Sequence, residues 1–84
     1  MALNSSPIIE VDVHGLNVCE AESLIDRKLA TAGSGVYRIK IIHGYNRGTA
    51  IRDMIYQVFR NYDEVKKIIG GNNQGETYLV LKEY

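Results

Sequence analysis

Two histidines carry most of the chemistry that this sequence offers. Each closes an apolar run and is followed by glycine, in Val11-Asp12-Val13-His14-Gly15 and in Ile39-Lys40-Ile41-Ile42-His43-Gly44, and they stand 29 residues apart. Imidazole is the side chain that exchanges a proton near neutral pH. A pair of them suits phosphodiester cleavage, one taking the proton of an attacking hydroxyl and the other protonating the leaving oxygen. Asp12 could orient His14 or hold a divalent cation such as Mg2+ or Mn2+. Arg47 and Arg52 follow the second unit and could neutralise phosphate charge in the transition state. Attack by an RNA 2′-hydroxyl needs no metal, whereas a DNA substrate favours a metal-activated water; the residues fit either route. A resident structural metal is not expected, because one carboxylate and two histidines show no zinc-like spacing. No Gly-x-Ser-x-Gly stands in the chain, so a serine triad is not indicated. The plainer reading is that each histidine is a turn residue bonded to a nearby carbonyl, and that Asp12 pairs across a sheet with Arg38 or Lys40.

These side chains meet only if the surrounding elements bring them together. Residues 8–13 alternate apolar and polar after Ile8 and are rich in β-branched residues, which reads as a strand. Asn17 with Glu20 three residues on has the form of a helix start. Val18, Ala21, Ile25, Leu29 and Ala32 then recur at helical spacing until Gly33-Ser34-Gly35. Residues 36–42 form a second strand, and Tyr45-Asn46-Arg47-Gly48 a turn. Thr49 can cap a second helix whose core stripe is Ile51, Ile55, Val58, Phe59 and Tyr62. Residues 65–69 and 77–82 give two further strands around a loop from Gly70 to Gly75. The expected fold is α/β, an α+β two-layer sandwich in the order βαβαββ: a four-stranded mixed sheet with both helices on one face. Strands joined through helices should run parallel with right-handed crossovers, and the last two should form an antiparallel hairpin.

That arrangement gives each residue a face. Ile9, Val11, Val13, Ile39 and Ile41 point to the helices. Glu10, Asp12, His14, Arg38 and Lys40 point to the open face, with Tyr78, Val80 and Lys82 extending it. Both His-Gly turns leave the carboxyl edge of parallel strands, where open α/β sheets bind ligands. Glycine there allows a sharp turn and close approach of a ligand, and each following helix offers unpaired N–H groups to a phosphate. Tyr45 and Arg47 could stack on bases. Tyr56 and Lys66-Lys67 read as ordinary surface, and Cys19 as a structural thiol.

The two units together resemble the Smr (small MutS-related) domain family. Val11-Asp12-Val13-His14-Gly15 is similar to its Leu-Asp-x-His-Gly motif, and Gly15-Leu16, Val18 and Glu20-Ala21 to the opening of its first helix. His43-Gly44-Tyr45-Asn46-Arg47-Gly48, with Thr49-Ala50-Ile51-Arg52, resembles its His-Gly-x-Gly-x-Gly motif and nearby helix-borne arginine. Asn46 replaces the middle glycine, and Arg52 lies one residue further on than in many members. The resemblance covers residues 8–84. It implies nucleic-acid binding with endonuclease activity on DNA or RNA in several members, some at ribosomes, and a non-catalytic nucleic-acid or ribosome binding module is the alternative. Carried over, the catalytic candidates are Asp12, His14 and His43. The nucleic-acid-binding candidates are Gly15, Arg38, Lys40, Gly44, Tyr45, Asn46, Arg47, Gly48 and Arg52.

With 84 residues, one domain is expected over 7–84, after a flexible tail at 1–6. No basic-apolar leader and no long apolar run stand in the sequence, so a cytoplasmic location without membrane contact is expected, and a monomer. One cysteine allows no internal disulfide. Ten Lys+Arg balance ten Asp+Glu, which argues against coating nucleic acid by bulk charge. The balance hides segregation: residues 1–26 hold five acids and no base, and residues 27–52 hold six bases and no acid. Local, site-directed phosphate contact therefore remains compatible with neutrality.

Overall fold

The β-branched run at the start pairs as an edge strand, β1 (Ile8–Asp12), because its inward residues Ile9 and Val11 need a helix-covered face. Helix α1 (Val18–Thr31) begins at Asn17, whose side chain accepts from the Glu20 amide while the Glu20 carboxylate accepts from the Asn17 amide. The expected capping box is therefore present, and two orphan amides of the first turn are satisfied. Ala21, Ile25 and Leu29 form the buried stripe. Strand β2 (Arg38–Ile42) is followed by α2 (Ala50–Val58), and a single 3-10 turn, Phe59–Asn61, ends that helix. Strands β3 (Lys67–Gly70) and β4 (Glu76–Val80) close the chain. This computed structural model describes residues 8–33, 35–44 and 48–82.

Strand order is β1-β2-β4-β3. β1 and β2 are parallel, with Asp12 opposite Ile42, and β4 lies antiparallel to both β2 and β3. The last strand thus inserts between the second and third. The βαβαββ order and the mixed four-stranded sheet are those read from the sequence. Val11, Val13, Ile39, Ile41 and Leu79 meet Ala21, Ile25, Met54, Ile55 and Phe59 in one core. Both helices therefore cover the same sheet face. Phe59 is fully buried, and its removal would open the largest cavity available. Among the described residues, no helix is long and apolar enough to cross a membrane.

Three local expectations change. Thr49 stands at the N-cap of α2 but makes no capping bond; its hydroxyl donates to Asp53 Oδ2 at 3.0 Å. The third strand is displaced toward Gly70, since Val65 turns into the core before pairing begins. Val80 alternates with Leu79 and so shares the face of Tyr78 and Arg38, but it is buried there, at 1% exposure. Elsewhere on that face charges pair among themselves. Lys40 lies 3.5 Å from both Glu10 and Glu76, and Arg38 sits over the Tyr78 ring at 5.6 Å. Burial pulls the Lys40 ammonium down, but the Glu76 and Glu10 carboxylates outweigh it and hold the group above its ordinary value.

Candidate active site

Parallel pairing in register places the ends of β1 and β2 side by side, so both His-Gly turns emerge at one edge. Val13 N–H donates to the Ile42 carbonyl at 2.9 Å and locks the two ends together. Gly15 and Gly44 have φ of 82° and 72°. A side chain is strained in that region, which is why glycine follows each histidine. A cleft of about 410 Å³ opens between the turns. From the first side it is lined by His14, Gly15 and the head of α1, and from the second by His43, Gly44, Gly48 and the first residues of α2. A Cβ on Gly44 would stand 3.6 Å from the His14 Cβ.

His14 is exposed and oriented. Its Nδ1 lies 2.5 Å from Asp12 Oδ1, and its backbone N–H donates to the same oxygen at 3.1 Å. A carboxylate accepts and cannot donate, so Nδ1 carries the proton, and in the neutral ring Nε2 keeps its lone pair. The side-chain bond from His14, and then the backbone bond, hold the Asp12 carboxyl below its ordinary range. Asp12 therefore pairs with His14 and not with Arg38 or Lys40. A carboxylate fixing the tautomer and ring direction of an imidazole is the arrangement of a general base.

His43 has a different setting. It is buried, its Nδ1 lies 2.7 Å from its neighbour's carbonyl, Gly44 O, and its Nε2 lies 2.8 Å from Thr77 Oγ1. The carbonyl can only accept, so Nδ1 donates to it, and in the neutral ring Nε2 accepts from the Thr77 hydroxyl. Both nitrogens are engaged. The Gly75 carbonyl accepts from the amides of His43 and Gly44 at 2.8 and 3.0 Å. Thr77 and Gly75 thus fix the second turn, although neither was singled out from the sequence. The only sign of them there is the glycine-rich loop before the last strand.

The remaining candidates separate. His14, Gly15, His43, Gly44 and Gly48 share the cleft, with Asp12 behind His14. Arg52 faces a neighbouring depression and lies 4.0 Å from Asp53. Arg38 and Lys40 occupy the open sheet face. Tyr45, Asn46 and Arg47 lie outside the described residues. Cys19 is exposed and so is no core thiol. Among the described residues, no three His, Cys, Asp or Glu side chains converge as a cation cage, and Asp12 Oδ1 already takes two bonds from His14. Among the described residues, the donor set at this cleft does not fit a protein-held metal.

Comparison with known proteins follows the same lines. The Smr domain family matches residues 11–82. The chain is 33% identical over 78 residues to a protein named Endonuclease MutS2 from Carboxydothermus hydrogenoformans. That match takes in 84% of this chain and 10% of the relative, so the chain spans about a tenth of the relative's length. The crystal structure of the Smr domain of Thermus thermophilus MutS2 superposes with a TM-score of 0.80 at 28% identity, covering 89% of this chain and 99% of that one. The match reaches from the first His-Gly turn through the last strand, and by sequence and fold alike the chain belongs to the Smr domain family.

Proposed function

We propose that this domain binds nucleic acid and cleaves its phosphodiester backbone, with His14 as general base and Asp12 as the carboxylate that orients it. The observation that carries the reading is the Asp12–His14 pair beside a cleft flanked by two helix starts. His14 Nε2 takes the proton of the attacking hydroxyl, either an RNA 2′-OH or a water. The new P–O bond forms as the bond to the leaving oxygen breaks, and that oxygen, leaving with the bond's electron pair, takes its proton from solvent water. The uncapped amides at the start of α2 offer donors to the phosphoryl oxygens. With both nitrogens occupied, His43 is read as the residue that positions the Gly44 turn. The name of the relative from Carboxydothermus supports endonuclease chemistry, which this chain would perform with its own residues. A divalent cation would have to arrive with the substrate phosphates.

The test is a cleavage panel of single-stranded, duplex and branched DNA and RNA, with EDTA, Mg2+ or Mn2+. Wild type should cleave at least one substrate. His14→Ala should lose about 10²- to 10⁴-fold, the contribution of one positioned base, and Asp12→Asn should lose less than His14→Ala. Cleavage equal to wild type in His14→Ala would overturn the mechanism. Salt-dependent binding without cleavage on any substrate would assign the domain as a binding module instead.

A further inference from the structure

Helix α2 does more than cover the sheet. Its first residues, Ala50 and Ile51, line the His14 cleft. Arg52, Tyr56 and Arg60 then follow at intervals of four, which places them along one row of the helix surface and its terminal turn. Tyr56 is 39% exposed, one of two large hydrophobic residues so exposed among those described. It stands between two depressions. One, of about 380 Å³, holds Arg52 and the amides of Gln57, Asn73 and Gln74. The other, of about 300 Å³, holds Arg60, Lys66 and Lys67.

Two cations of the second depression are available. Arg60 and Lys66 are exposed and form no ion pair among the described residues. The first depression also holds two acids: Asp53 accepts from the Thr49 hydroxyl and lies 4.0 Å from Arg52, and Glu76 lies 3.5 Å from Lys40. Other acids gather elsewhere: the Tyr62 hydroxyl donates to Asp26 at 2.9 Å, and Glu22 and Glu64 lie close enough to act on the same phenol. A basic, aromatic flank is thus separated from an acidic one.

Resting on the nucleic-acid reading above, we infer that the Arg52–Tyr56–Arg60 row, with Lys66 beside it, is a track for a single strand leaving the His14 cleft. Tyr56 stacks on one unpaired base, and the two arginines and the lysine meet phosphates on either side of it. The amides of Gln57, Asn73 and Gln74 can bond a base edge, which a paired base would not present. From Ile51 to Arg60 the row spans roughly 14 Å at the helical rise, room for a few nucleotides. A half-exposed aromatic flanked by cations is the composition of single-strand grooves, whereas a duplex would use the cations and leave the ring idle.

The test is fluorescence anisotropy of the whole chain with short single-stranded and duplex oligonucleotides over a salt series. Wild type should prefer the single strand. Tyr56→Ala should weaken single-strand binding by about five- to a hundredfold and duplex binding little, while Tyr56→Phe retains it. Arg60→Gln and Lys66→Gln should each reduce the salt slope by about 0.7, and Lys28→Gln on α1 should leave it unchanged. Wild-type affinity and slope in all three of Tyr56→Ala, Arg60→Gln and Lys66→Gln would overturn the track alone. Absence of salt-dependent binding by wild type would overturn the nucleic-acid reading beneath it.

Discussion

At the scale of single residues, the two histidines that look alike in the sequence part company. His14 is exposed, with one nitrogen committed to Asp12, while His43 is buried, with both nitrogens committed. The motif form is shared, but the roles are not, because the face on which each ring lands is set by its neighbours. Asp12 gives this difference a pH signature. Its carboxyl titrates below its ordinary value of 3.8 in the folded chain, held there by the His14 bonds. The ionised Asp12 carboxylate, bonded by His14, therefore stabilises the fold above that value, and the contribution is lost as pH falls through the lower, folded one. Thermal melts of wild type and Asp12→Asn should differ most near neutrality and converge as pH falls through the lowered Asp12 value. Since both groups are exposed, the difference at neutrality should be small; a gap that widens on acidification would contradict the pairing.

At the scale of elements, the two helix starts offer a controlled comparison. Asn17 and Thr49 are both residues that favour N-caps, but only Asn17 completes the bond. Asn17→Ala should cost about 1 kcal/mol of stability. Thr49→Ala should stay within about 0.5 kcal/mol, the range of an ordinary surface change. Urea denaturation of the two variants checks this, and equal losses would show that Thr49 caps α2 in solution. The contrast has a structural cause: Thr49 leans to Asp53, leaving the first amides of α2 open toward the cleft where a phosphate would sit.

At the scale of the whole molecule, the insertion of β4 between β2 and β3 builds the second turn. It brings Thr77 to His43 across 34 positions of sequence, and the Gly75 carbonyl to two amides of the His43–Gly44 turn. Thr77→Val keeps the shape and removes the hydroxyl, so a buried His43 nitrogen loses its partner. The expected cost is about 1–3 kcal/mol, read from denaturation midpoints, together with reduced cleavage although His14 is untouched. Thr77→Ser should restore most of both. The same packing sorts charge over the surface. A chain of zero formal charge comes to hold an acidic flank around Tyr62 and a basic one around Tyr56.

Much of the fold was legible in local pattern. Alternation in residues 8–13 and the 3.6-residue stripe through Ala21, Ile25 and Leu29 are one-dimensional signals, since one face of each element must be buried. Two His-Gly pairs one crossover apart implied a shared edge, because parallel strands joined through a helix end on the same side. The shift of the third strand, the burial of Val80 and the engagement of both His43 nitrogens were not legible. Each depends on which strand lies beside which, and neighbours distant in sequence decide burial and hydrogen bonding. The sequence by itself determined the elements, their order and the placement of Asp12 two residues before His14, which local backbone geometry converts into a hydrogen bond. Only the tertiary structure decided that His14 is the histidine with a free nitrogen, that Thr77 and Gly75 hold the other, and that Tyr56 stands among cations, because those outcomes rest on packing between segments that share no local signal.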